Sequence, residues 1–146
     1  MGRDEEMAVK IKPIGIIRSP HKSVAEIPRD CGSAVGEVIV SEDYEKGLQD
    51  IEGFSHIMIL WLFHKSKRYS LLVKPLYYEG LHGVFTTRHP DRPNPIAVTV
   101  VELLERKGNK LRIKGIDAVD KTPLIDIKPY TLRDIKGNIK TGWLRH

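Results

Sequence analysis

Most of this chain alternates apolar and polar positions with the two-residue period of β-strands, and only one stretch reads as helix. Lys12-Pro-Ile-Gly-Ile-Ile-Arg18 is a short β-prone run closed by Ser19-Pro20, and Gly36-Glu-Val-Ile-Val40 is a second. Phe54 to His64 is apolar on both parities and carries Ile, Trp and Phe, the pattern of a strand buried on both faces. Gly83-Val-Phe-Thr-Thr87 predicts another short strand. Two longer runs, Ile96 to Glu105 and Leu111 to Val119, flank Lys107-Gly-Asn-Lys110, a hairpin signal. In Leu124-Ile-Asp-Ile-Lys128, Ile125 and Ile127 share one face while Asp126 and Lys128 share the other. The helix is predicted over residues 42–50, with Ser41 as N-cap before Glu42-Asp43 and Gly47 interrupting it. Many short strands and little helix predict a mainly β fold, a closed barrel or sandwich with irregular loops.

Composition narrows this further. The 146 residues hold 40% hydrophobic and 29% charged side chains, the balance of one ordinary folded domain spanning 1–146 rather than a disordered chain. The longest apolar run, Ile57 to Phe63, falls far short of the roughly 20 residues of a spanning helix, so no membrane partner is expected. Met1 to Ala8 shows no apolar export segment, and a single cysteine, Cys31, excludes an internal disulfide; a soluble, cytoplasmic protein is expected. Net charge is +5, unevenly spread: residues 106–146 hold 11 Lys and Arg against 4 Asp and Glu. The segment 131–146, with Lys136, Lys140 and Arg145, continues that basic stretch. Such a stretch fits nucleic-acid phosphates, and equally a solvated lysine-rich surface.

Candidate chemistry concentrates in two segments. Thr87-Arg-His-Pro-Asp-Arg-Pro-Asn-Pro-Ile96 places Pro90, Pro93 and Pro95 so that each fixes its own φ and extends its predecessor. The result is a stiff loop presenting Arg88, His89, Arg92 and Asn94, which lowers the ordering cost of binding; a rigid turn alone would not need the interleaved arginines and asparagine. Asp120-Lys-Thr-Pro-Leu-Ile-Asp-Ile-Lys-Pro-Tyr130 opens with a turn over Asp120 to Pro123, then puts Asp126 and Lys128 on one strand face with Tyr130 following. That trio suits a polar substrate, or is a solvent-facing charge pair beside a half-buried tyrosine. His56 and His64 are too far apart to chelate together, and no metal site is expected. Neither a G-x-G-x-x-G after a strand nor a P-loop is present, so any nucleotide-like cofactor needs a non-Rossmann architecture.

In combination and in order, Ile14-Gly-Ile-Ile-Arg-Ser-Pro20, Ile27-Pro-Arg-Asp30, Leu48 to Ile57, Trp61-Leu-Phe-His64, Gly83 to Arg88, Arg92-Pro-Asn-Pro-Ile96 and Asp120 to Tyr130 resemble the TrmO family, also called TsaA-like or YaeB-like. The resemblance implies a single closed β-barrel and an S-adenosyl-L-methionine (SAM)-dependent methyltransferase. Its implied substrate is N6-threonylcarbamoyladenosine at position 37 in the anticodon loop of tRNA. Carried over by motif, the cofactor contacts would be Pro28, Arg29, Asp30, His64, Lys65, Arg88, Val98, Asp120, Lys121, Thr122 and Pro123. The attacking N6 must lose a proton, for which Asp126 is a candidate base and Asn94 a candidate orienter. Arg92 or Lys128 suits the threonyl carboxylate, and Tyr130 a flipped base.

The resemblance also implies a homodimer with its cofactor near the shared surface. A small barrel fills its interior with its own side chains, and a cleft between copies would supply room. Tyr77, Tyr78 and Trp143 are candidates for that surface, the alternative being packing within one chain. Two departures stand out. Lys121 occupies a place where the family usually has glycine, which would strain a turn needing positive φ. Longer relatives add a small C-terminal domain, whose tRNA contacts the basic tail or the dimer surface would replace. The rival expectations are a non-catalytic β-barrel RNA-binding module, which binds no cofactor, and a methyltransferase of small molecules, which needs no basic tail.

Overall fold

The computed structural model describes residues 7–30 and 32–144; Cys31, Arg145 and the residues scanned for an export signal through Glu6 lie outside the described residues. Among the described residues eight strands are formed: β1 (Gly15–Arg18), β2 (Val35–Val40), β3 (His56–Leu62), β4 (Leu72–Val73), β5 (His82–Gly83), β6 (Ile96–Lys107), β7 (Lys110–Lys114) and β8 (Thr122–Pro129). Six of them close a barrel in the order β1-β2-β7-β6-β3-β8, while β4 and β5 form a separate two-stranded ribbon. Every pairing is antiparallel. The mainly β fold expected from the pattern is present, as a closed barrel rather than a sandwich.

Most inward positions of the barrel strands are β-branched or leucine, and Ile17, Ile59, Leu111, Ile113 and Leu124 are fully buried. The hairpin turns on Gly108-Asn109, Gly108 taking φ +60 as a two-residue turn between twisted strands requires. The Asn109 side chain then donates to the Val40 carbonyl at 2.7 Å, tying the hairpin to β2.

Four expectations are corrected. β3 is not buried on both faces: Ile57, Ile59 and Trp61 point inward, while His56, Met58, Leu60 and Leu62 are half-buried outside, because a barrel has a single interior. Gly83 to Thr87 is not a strand beyond β5. Thr86 and Thr87 hydroxyls bond back to the Gly83 and Val84 carbonyls at 2.7 and 2.8 Å, stabilising a 3₁₀ turn over Val84–Thr86. The run Leu111 to Val119 leaves the sheet after Lys114, where Gly115 takes φ +103. The helix near residue 42 is a 3₁₀ helix, Glu42–Leu48, and Ser41 caps it through its carbonyl rather than its hydroxyl, accepting the Tyr44 N–H at 2.9 Å.

Candidate cofactor pocket

β3 ends and β6 begins at the same mouth of the barrel, where Leu62 pairs with Ile96. Between them the chain makes a long excursion, residues 63–95, and the pocket lies where that excursion meets the barrel. It encloses about 580 Å³, within the range of roughly 300–1,000 Å³ typical of small-molecule sites. Its floor is apolar: Trp61, Phe63, Ala97, Val98 and Val119, with Thr122 beside them. Trp61 and Phe63 pack edge to face with ring centroids 4.8 Å apart. Around the rim stand Arg29, Lys65 and Arg88, all exposed to solvent.

The proline-rich loop, expected to be stiff, is also tied by its own hydrogen bonds. The Asp91 N–H donates to His89 Nδ1 at 3.1 Å, and Ser66 Oγ donates to Asp91 Oδ1 at 2.8 Å. Arg92 lines the pocket, but its Nη1 donates to the Val84, Thr87 and His89 carbonyls at 3.3, 2.9 and 3.3 Å. That nitrogen therefore holds the loop together. Asn94 is exposed outside the pocket, its carbonyl accepting the Ile96 N–H at 2.7 Å.

A second wall comes from residues 76–77. The Arg29 guanidinium sits 4.8 Å from the Tyr77 ring centroid and 5.9 Å from that of Tyr78. Trp143 folds back on this wall, stacking on His82 at 3.9 Å and donating from Nε1 to Thr86 Oγ1 at 2.8 Å. Of the two readings of Trp143, packing within its own chain is the one this arrangement adopts.

Asp120 follows Val119, which lines the pocket, without lining it itself. Its Oδ1 accepts the Ser19 N–H and Arg18 Nε at 2.9 Å each, and Oδ2 accepts Lys22 Nζ at 3.1 Å. The Ser19 amide, then Lys22 and Arg18, outweigh burial and hold its carboxyl down at about 2. Asp120 is thus a clasp on the loop that carries Pro28 and Arg29. Lys121 beside it takes φ +68, the left-handed conformation that glycine adopts without cost. Pro123 pairs with Ile16 in the barrel ladder, and Asp30 caps its own loop by accepting the Gly32 N–H at 3.1 Å.

The other sequence candidates sit elsewhere. Leu60 pairs with Asp126 and Trp61 with Leu124, so Ile125 is a bulge, and Leu124 and Ile127 both face inward despite their odd spacing. Asp126 and Lys128 stay outside and bond each other at 3.0 Å. Tyr130 meets His56 at the far end of β3, with ring centroids 6.2 Å apart. Among the described residues no three His, Cys, Asp or Glu side chains group as metal ligands, and no helix is long and apolar enough to cross a membrane.

Residues 16–134 match the tRNA-methyltransferase O N-terminal domain. The chain belongs to the TrmO family. Among its relatives, an S-adenosyl-L-methionine-binding protein of Archaeoglobus fulgidus is 43% identical over 123 residues, covering 83% of this chain and 88% of the relative. The tRNA (adenine(37)-N6)-methyltransferase of Escherichia coli K12 is 39% identical over 134 residues, covering 83% of this chain and 57% of that enzyme. The crystal structure of TrmO from Pseudomonas aeruginosa superposes with a TM-score of 0.79 at 34% identity, over 94% of this chain and 63% of that one. This chain therefore spans less than two thirds of the length of those two TrmO-family proteins.

Of the residues that the TrmO resemblance marks for the cofactor, the structure brings Pro28, Arg29, His64, Lys65, Arg88, Val98 and Thr122 around one pocket. Asp30, Asp120, Lys121 and Pro123 are absent from its lining, as are Asn94, Asp126, Lys128 and Tyr130. Sequence reasoning missed Phe63 and Tyr77 as lining residues, and it missed Asp117. The signal for Asp117 was present: a lone carboxylate inside the apolar run Gly115 to Val119, just after a glycine able to turn the chain.

Proposed function

We propose that this TrmO-family chain is a SAM-dependent methyltransferase that methylates N6 of adenosine 37 in tRNA, acting on the base that already carries its threonylcarbamoyl group. The observation that carries this reading is the pocket at the barrel mouth, an apolar aromatic floor under a cationic rim. The donor set fits the cofactor: Trp61, Phe63 and Val98 suit its nucleoside and sulfonium, while Arg29, Lys65 and Arg88 suit its carboxylate. Bound there, the cofactor would supply an electrophilic methyl group, with its thioether as the leaving group. The chain contributes position: the hydrogen-bonded loop 87–95 and the Asp120 clasp fix the rim before any ligand arrives.

Two copies pair in this reading. On the outer face of the barrel, Met58 lies beside Val100, and Leu60 beside Val98, with Val98 and Val100 40% and 44% exposed. This apolar patch adjoins the pocket through Val98 and is flanked by Asp126 opposite Leu60 and Lys128 opposite Met58. A second copy seated there brings the Asp126–Lys128 pair to the seam, where Asp126 takes the N6 proton and Lys128 faces the threonyl carboxylate. The exposed cations of residues 106–146 bind tRNA phosphates in the cytoplasm, giving an affinity that falls steeply with salt.

Incubation with methyl-labelled SAM tests the whole reading. Label should enter tRNA carrying the threonylcarbamoyl group and spare the unmodified transcript. Binding of tRNA without transfer would make the chain an RNA-binding module instead.

A further inference from the structure

From Trp61 on the pocket floor a short chain of hydrogen bonds leads through Thr99 to Asp117, two residues outside every motif that marked the site. Trp61 Nε1 donates to Thr99 Oγ1 at 3.0 Å, and Thr99 Oγ1 donates to Asp117 Oδ1 at 2.6 Å. Its direction is set by chemistry: indole nitrogen only donates, so the single hydroxyl proton of Thr99 must point at the carboxylate. Trp61 and Thr99 are buried on adjacent strands, whereas Asp117 is half-buried and lines the pocket. Among the described residues Asp117 Oδ2 takes no hydrogen bond, leaving an anionic acceptor held by its other oxygen.

We infer that Asp117 is the residue that accepts hydrogen bonds from the ribose hydroxyls of the cofactor, with Thr99 and Trp61 as its positioning residues. The inference rests on the cofactor reading of the pocket and assigns one of its contacts. The three rim cations are solvent-exposed and draw the cofactor's carboxylate, so the amino-acid end lies outward and the nucleoside lies on the floor. There the vicinal hydroxyls are the donors that a fixed carboxylate oxygen grips, as acidic side chains grip ribose in unrelated nucleotide folds. Gly115 makes this possible: its φ of +103 turns the chain out of β7, so Asp117 meets Thr99 instead of continuing a strand.

Binding titrations with S-adenosylhomocysteine, 5′-methylthioadenosine and the 2′,3′-dideoxy form of the latter test the assignment without turnover. Asp117→Asn keeps an acceptor for Thr99 but loses the charge, and should raise Kd for the first two ligands alike, by roughly 10–100-fold. Wild-type protein should bind the dideoxy ligand more weakly by a similar factor, and Asp117→Asn should no longer distinguish 5′-methylthioadenosine from its dideoxy form. Thr99→Val should give a smaller loss, with Thr99→Ser restoring affinity. A loss confined to S-adenosylhomocysteine would place the contact at the amino-acid end and overturn the assignment, as would Kd values unchanged within twofold. If Asp117→Asn does not fold, the wild-type comparison of the two thioethers still decides. Folded wild-type protein that binds none of the ligands would instead overturn the cofactor reading itself.

Discussion

The two ends of β3 carry equally distinctive residues and build different things from them. At the Leu62 end the chain leaves the sheet, and Trp61, Phe63, His64 and Lys65 meet residues from five other segments around a pocket. Toward the His56 end β8 stays in its ladder beyond the Ile125 bulge, so Lys128, opposite Met58, pairs with Asp126 two positions back and Tyr130 rests on His56. A charged residue in a regular strand finds its nearest partner along its own face. One placed where strands end is left to face a ligand. The comparison teaches that the pocket depends on loops held by distant contacts, while the opposite end looks after itself.

The largest expected effect joins both ends. Ile59 is fully buried midway along β3, and Ile59→Ala should cost roughly 2–5 kcal/mol in chemical denaturation, taking pocket and far end down in one transition. Two separate transitions would show that the ends fold independently.

Acid should separate them next. Asp120 titrates at about 2 against an ordinary 3.8, so its stabilisation is complete above 3.8 and lost as the pH falls through 2. Its partners Arg18 and Lys22 are exposed, which holds the contribution to about 1 kcal/mol. Asp120→Asn should flatten the stability profile between pH 4 and 2, read by thermal unfolding, and weaken ligand binding at neutral pH by loosening the Arg29 loop. An unchanged profile would remove the clasp from the account.

Smaller still is the far end, where Lys128→Ala should shift stability by no more than about 0.5 kcal/mol, since the pair is exposed. A change of similar size is a gain: Lys121→Gly relieves a left-handed lysine, and the extra freedom of the unfolded chain offsets part of it, for about 0.5 kcal/mol net. A melting temperature that drops would show that the turn is not strained.

The barrel was legible because its strands are written locally, in alternating Ile, Val and Leu between turn residues. The proline-stiffened loop was legible for the same reason. Local pattern misled where a side chain rewrote the backbone, as the Thr86 and Thr87 hydroxyls do after β5, and where the Ile125 bulge reset the alternation. The site was only half legible. Arg29, Arg88 and His64 came from motif resemblance, whereas Asp117 owes its role to Thr99, 18 residues away, and Asp120 to Arg18, 102 residues away. No period or spacing encodes such pairs.

In the proposed function the cofactor sits at the Leu62 end of β3. Isothermal titration of S-adenosylhomocysteine into wild type, Arg88→Ala and Lys128→Ala, each checked for folding by circular dichroism, tests it most directly. The account predicts binding to wild type, at least about tenfold weaker binding to Arg88→Ala, as for loss of a charged hydrogen bond, and Lys128→Ala within twofold of wild type. No binding to folded wild type, or a loss in Lys128→Ala equal to that in Arg88→Ala, would contradict it.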